Sequence, residues 1–230
     1  MMRNFYNNFI LPDEETHQVL ALVKKYNSPC AKILDVGCGY GRYLKPLKEM
    51  GYEVIGVEQN LDIVSKNQEA GLPCISVEAF DTLSTQYHCI ILSHIIEHFT
   101  PNDLLAFLNY YLSKLEKGGY LIIATPLYSD YFYDDFDHIK PYQPLGLQMV
   151  FGGNEAQVQY YSKHQLALRD LWFRKAPLLS RFHRAKYIKS FKTRWLQLYD
   201  FAMAVLYRLS LKSISRKDGW VGVYQKVNNI

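Results

Sequence analysis

The 230-residue chain reads as a doubly wound α/β fold around a mostly parallel sheet, and three observations lead there. Short β-branched runs alternate with single amphipathic helices, the pattern of βαβ units with right-handed crossovers. The run KILDVGCGYGRYL at 32–44 joins an apolar strand to a helix start through Gly37, Gly39 and Gly41, with Asp35 just before them. A carboxylate, Glu58, ends the next apolar run about 20 residues further on, where such folds hold ribose hydroxyls. A hydrophobic content of 49% can bury a full α/β core in one compact unit, 1–230.

In order, residues 14–25 space their apolar side chains as an amphipathic helix, with Pro12 and Asp13 at its start. Residues 33–36 form the first strand, 43–50 a helix stopped by Gly51, and 54–57 a second buried strand. Residues 61–69 are helical up to Gly71; 74–78 and 89–93 read as strands, 101–115 as helix, 120–125 as a fifth strand and 219–227 as a closing strand.

Glycines at alternate positions remove every β-carbon where the loop must bend, so a ligand can lie against bare backbone. The spacing D-x-G-x-G-x-G favours an adenosine ligand other than NAD. Glu58 alone would read as an exposed loop carboxylate; after the cradle it reads as the ribose acid.

With these residues in view, the chain resembles the class I S-adenosylmethionine-dependent methyltransferases, nearest the ubiquinone-biosynthesis O-methyltransferase type. The likeness rests on DVGCGYG at 35–41, Glu58, YHCIILSHIIEHF at 87–99 and LEKGGYLIIATP at 115–126, and it loosens from Tyr128 onward. It implies a seven-stranded Rossmann-like sheet with an antiparallel last strand, and S-adenosyl-L-methionine as cofactor, leaving as S-adenosylhomocysteine. It implies cofactor contacts at Asp35, Gly37, Cys38, Gly39, Gly41, Glu58 and Gln59. Glu78, Ala79 and Phe80 would lie beside the adenine, with Phe80 alternatively a core aromatic; Leu92, Ser93 and His94 would follow the methionine portion.

A hydroxyl acceptor needs a base, because the bare alcohol or phenol attacks poorly. His98 is the first candidate, His94 the second, and Glu97 the third; the bland alternative is that Glu97 and His98 cap and orient the next helix. No spaced Asp and Asn cluster or H-E-x-x-H pattern marks a metal site, so no metal is expected.

Residues 128–155 crowd tyrosines and phenylalanines around Asp134, Asp135, Asp137 and His138, and are expected to overhang the site, with His138 and Tyr142 as substrate contacts or as surface packing. The last sixty residues change character. From Leu171 to Ile230, thirteen Lys and Arg face two acids, a net of +11 in a chain whose total is +4. Residues 171–215 are expected to form a basic helical insertion before the last strand, with Trp195, Leu196, Tyr199, Met203, Leu206 and Leu209 on one face. It would either cap the site, the stripe packed on the sheet, or contact an anionic membrane or amphiphilic substrate. Nucleic acid is disfavoured, since SHII stands where base-amine methyltransferases carry an N-P-P-Y-type segment.

The four cysteines show no metal-ligand spacing and read as reduced thiols, and the start lacks a signal-peptide core, so a cytoplasmic protein is expected, with peripheral membrane association as the alternative to the cap. The expected function is methyl transfer to a small-molecule or lipid-linked acceptor, most naturally through oxygen. A nucleotide-dependent oxidoreductase and a catalytically silent S-adenosylmethionine-binding module are the rivals.

Overall fold

The computed structural model describes residues 13–129, 131–153, 159–180 and 191–229. Asp13 caps α1 (Glu14–Tyr26), accepting from the Thr16 amide at 3.1 Å, and acids in the first turn with lysines in the last match the helix dipole. There follow β1 (Lys32–Val36), α2 (Leu44–Glu49), β2 (Glu53–Glu58), α3 (Leu61–Glu69), β3 (Cys74–Ser76), α4 (Val77–Asp81) and β4 (Tyr87–Ser93). A 3₁₀ turn, Ile96–His98, leads into α5 (Pro101–Lys114) and β5 (Leu115–Pro126). The rest comprises a second 3₁₀ turn (Phe132–Asp134), α6 (Pro144–Phe151), β6 (His164–Ala176), α7 (Phe191–Leu209) and β7 (Arg216–Asn229).

The seven strands form one sheet in the order β3-β2-β1-β4-β5-β7-β6. Strands β1 to β5 are parallel, and β7 runs antiparallel to both β5 and β6. Side chains alternate across β4, so Ile90 and Leu92 join one core with Leu34, Leu108 and Trp220, while Cys89 and Ile91 join another with Val19, Leu47 and Val223. Strand order reverses between β1 and β4, which opens a crevice at their carboxyl ends, where Asp35, the glycines and His94 emerge.

Several elements differ from the sequence expectation. The third strand stops at Ser76, not 78, because the Ser76 hydroxyl accepts from the Ala79 amide at 3.2 Å and starts α4. The basic insertion does not begin at 171: Leu171 to Ala176 belong to β6, paired along β7. Register shifts at Gln165/Leu166, Leu168/Asp170 and Arg174/Lys175 break its two-residue alternation and hid it. In α7 the buried positions are Asp200, Ala204 and Tyr207, while Trp195, Tyr199, Leu206 and Leu209 of the expected stripe are exposed. The basic run Arg181, Arg184, Lys186 and Lys189 lies outside the described residues, as do 1–12, 130 and 154–158.

Candidate functional site

The glycine loop is folded over β2 by two amides, Gly37 and Cys38, which donate to the Val57 carbonyl at 2.7 and 3.1 Å. Gly37, Gly39 and Gly41 all have positive φ, at 64°, 52° and 74°. A β-carbon on Gly37 would come within 2.2 Å of Ile95 Cδ1, whereas one on Gly39 would meet nothing within 4 Å. Bare backbone at Gly39 therefore faces open space. Glu58, at the tip of β2, accepts from the Gly39 amide through Oε2 and from the Asn60 amide through Oε1, each at 3.0 Å. Buried Asn67 on α3 donates to the Gly39 carbonyl at 2.7 Å and holds the loop from behind.

Asp35 is 1% exposed, and its Oδ2 has no hydrogen-bond partner among the described residues. Burial pushes its carboxyl up to about 8; Arg42 opposes the rise and the Glu58 charge adds to it. An orphaned buried carboxylate at the mouth of a glycine cradle fits a ligand that brings a cation, as the methionine ammonium of S-adenosylmethionine would. Gln59, Glu78 and Ala79 are exposed near the tips of β2 and β3. Phe80 instead packs in the core, stacked on Tyr111 with ring centroids 5.8 Å apart, and Leu92 is fully buried, so neither side chain lines the crevice. The Ser93 hydroxyl lies 3.2 Å from that of Tyr43.

His94 sits in the left-handed region, φ 56°, clamped between two carboxylates. Its Nε2 is 2.7 Å from Glu15 Oε1 and its Nδ1 is 3.3 Å from Glu97 Oε1. Burial by itself would depress its pKa, but these contacts with Glu15 and Glu97 outweigh it and lift the value to about 9. With Nε2 bonded to buried Glu15 and Nδ1 facing the buried Glu97 carboxylate, neither nitrogen of His94 is well placed to take an acceptor's proton. Glu97 is also unsuited: it is 0% exposed and its Oε2 accepts from the Thr125 hydroxyl at 2.9 Å. Glu15, buried on α1, further accepts from Arg174 Nη1 at 2.7 Å, and Arg174 pairs with Asp218 at 2.8 Å, so α1, β4, β6 and β7 meet in one ion network.

His98 is different. Its Nδ1 lies 3.2 Å from both the carbonyl oxygen and the carboxylate of Asp137. Both are acceptors, so Nδ1 carries a hydrogen toward them, and Nε2 is the nitrogen not so engaged. The loop bearing Asp137 is held there by Ile139 and Lys140, whose amides donate to the Glu97 carbonyl at 2.9 and 3.1 Å. His138 lies with its ring 5.0 Å from that of His98, its Nδ1 donating to the Phe132 carbonyl at 2.7 Å. Glu97, His98 and His138 each bring one ligand-type atom within 4.8 Å of the others; Glu97 Oε2 accepts from Thr125, while its Oε1 has no hydrogen-bond partner among the described residues.

Tyr142 is fastened at both ends: its hydroxyl donates to the Phe99 carbonyl at 3.0 Å and its carbonyl accepts from Trp220 Nε1 at 2.9 Å. It walls an apolar cavity of about 240 Å³ between α5 and α6, with Leu104, Leu147, Val150 and Phe151. The residues that sequence reasoning missed are Glu15, Asn67, Arg174 and Asp137. Asn67 had a signal, a polar side chain three residues from Val64 on the inward arc of α3. The others act through contacts between distant segments.

This strand order, with an acid-tipped second strand and a glycine cradle at the switch point, defines a class I S-adenosylmethionine-dependent methyltransferase. The chain belongs to the family described as a methyltransferase domain, whose sequence pattern matches residues 10–190. It is 28% identical over 102 residues to the ubiquinone biosynthesis O-methyltransferase of Bradyrhizobium sp. (strain ORS 278), a match covering 41% of this chain and 39% of that protein. Against the mitochondrial ubiquinone biosynthesis O-methyltransferase of Homo sapiens it is 30% identical over 106 residues, 41% of this chain and 28% of that one. The match thus spans about two-fifths or less of these relatives' length. A SAM dependent methyltransferase from Archaeoglobus fulgidus shares the fold at a TM-score of 0.57 and 22% identity, over 96% of this chain and 98% of that one. Magnesium protoporphyrin IX methyltransferase from Synechocystis PCC 6803, solved with bound SAH, does so at 0.55 and 15%, over 92% and 82%.

Proposed function

We propose that the chain methylates an oxygen of a small-molecule or lipid-linked acceptor, with His98 as the base. The observation that carries this is the Asp137 pair, which engages His98 Nδ1 and leaves Nε2 as the nitrogen not so engaged. When bound, S-adenosylmethionine supplies a sulfonium methyl open to in-line displacement. Glu58 and the Gly39 backbone would hold its ribose, Asp35 its ammonium, and the β4 tip at Ser93 its methionine portion. His98 Nε2 would take the acceptor's hydroxyl proton, leaving its oxygen free to attack. Asp137 stabilises the imidazolium formed, and His94, already cationic, holds the strand tip to α1.

The apolar cavity beside Tyr142 supports an amphiphilic acceptor, because Lys140 on its rim is bonded to the turn that carries His98. The relatives named for ubiquinone biosynthesis are consistent with such an acceptor. The test is the rate of methyl transfer by His98→Gln, which should lose about 10²–10⁴-fold in kcat. A His98→Gln enzyme with the wild-type rate would refute the assignment.

A further inference from the structure

A surface helix ordinarily turns its apolar arc inward. Helix α7 buries Ala204 and Tyr207 but leaves a second apolar arc facing outward. Its inward positions are Asp200, Ala204 and Tyr207; the Asp200 carboxylate accepts from the Ser180 amide at 2.6 Å and hydroxyl at 3.0 Å, and the Tyr207 hydroxyl donates to the Lys175 carbonyl at 2.9 Å. The outward arc carries Phe201, Val205, Leu198, Leu209, Trp195, Leu206 and Tyr199, all exposed. At 100° per residue these seven occupy about 160° of the helix circumference. Leu209 is 77% exposed, Trp195 60% and Leu198 56%, and Leu211 just beyond the helix is 87% exposed. Among the described residues no element covers Leu198, Phe201 or Leu209.

The charge around it is one-sided. Between Leu171 and Lys217 the chain holds twelve Lys and Arg and a single acid, the buried Asp200; of the twelve, Arg174 pairs with Glu15 and Asp218, and Lys212 with Glu14. The ten residues preceding the helix include Arg181, Arg184, Lys186 and Lys189 and no acid, and exposed Arg194 begins the arc. We infer that α7 lies flat on an anionic lipid bilayer, its apolar arc in the acyl boundary and the exposed Arg194 among the headgroups. A second copy of the chain would match the arc but would bring together two segments of net +11 each. A polyanion such as RNA would match the charge but leave Leu198, Val205 and Leu209 in water. No helix among the described residues is long and apolar enough to cross a membrane, in keeping with a helix that lies on it. The inference deepens the reading of an amphiphilic acceptor, and it is measurable without one.

Sedimentation with vesicles of equal parts phosphatidylglycerol and phosphatidylcholine, in the absence of cofactor, tests it. The wild-type chain should bind these vesicles, bind pure phosphatidylcholine far less, and release as salt is raised. The variant Leu198→Ser/Phe201→Ser/Leu209→Ser should bind at least about tenfold more weakly, while S-adenosylhomocysteine titration without vesicles confirms that its crevice is intact. Trp195 emission should shift to the blue on vesicle addition and be absent from Trp195→Phe. A wild-type chain that stays in the supernatant, a triple variant that sediments equally, or a wild-type dimer dispersed by the triple variant would each overturn the inference. None of those results bears on methyl transfer, which is assayed separately.

Discussion

Replacing Asp35 by Asn should separate what the carboxylate costs the empty protein from what it does for the ligand. In the folded chain the proton stays on until about pH 8, whereas an unfolded Asp loses it near 3.9. Between those values the unfolded state has released a proton that the native state keeps, so native stability falls as pH rises. At pH 7 the difference is about three pH units, a ceiling of about 4 kcal/mol. Asn cannot ionise and escapes that term, but it adds a buried N–H where Oδ2 finds no partner, a cost of about 1–3 kcal/mol. The ligand-free variant should therefore be less stable than wild type at pH 4 and equal or more stable at pH 8. For a chain of this size the melting curves should cross with offsets of about 2–4 °C per kcal/mol. The same carboxylate should favour a cationic ammonium, so wild-type affinity for S-adenosylhomocysteine should increase up to about pH 8, with proton release on binding, and the Asp35→Asn variant should lose both. Melting temperatures of wild type and variant that run parallel from pH 4 to 8, with ligand affinity unchanged, would refute the reasoning.

Glu58→Ala should weaken S-adenosylhomocysteine binding by about 1–3 kcal/mol through loss of charge-assisted hydrogen bonds, measurable by calorimetry as a fall of about 5- to 150-fold. Glu15→Ala strips the partner from both His94 and Arg174; breaking a buried ion network in this way should cost about 3–5 kcal/mol and lower the melting temperature by about 6–20 °C. In that variant the His94 ring, observed by NMR, should titrate below its wild-type value of about 9. Asp137→Asn should lower kcat more than it raises KM, since it acts on the imidazolium formed during proton transfer; a pure KM effect would count against it.

Much of the cofactor half of the molecule was legible because it is local. Strand, glycine turn and helix follow one another within 32–44, and Glu58 is fixed by the strand that precedes it; the strand order that brings Asp35, Gly39 and Glu58 together follows from right-handed crossovers. The acceptor half was not. His94 and His98 look alike four residues apart, and only the fold places Glu15, 79 residues upstream, against one and Asp137 against the other. Phe80 could be read as a ligand or a core residue until α4 turned it onto Tyr111. Strand β6 was hidden by three register shifts and by its own charges. In α7 the polar Asp200 looked like the solvent side of an amphipathic helix, but it is buried, its carboxylate satisfied by Ser180.

The most direct test of the central claim follows the methyl group itself. The purified chain is incubated with S-adenosylmethionine labelled in its methyl carbon and a lipid extract containing hydroxylated aromatic precursors, beside the same extract with its hydroxyls blocked beforehand. Label should enter the organic phase as an alkali-stable ether from the first extract alone, and His98→Gln should abolish it. Bound cofactor with no transfer to either extract, or equal labelling of the blocked one, would contradict oxygen methylation at this site.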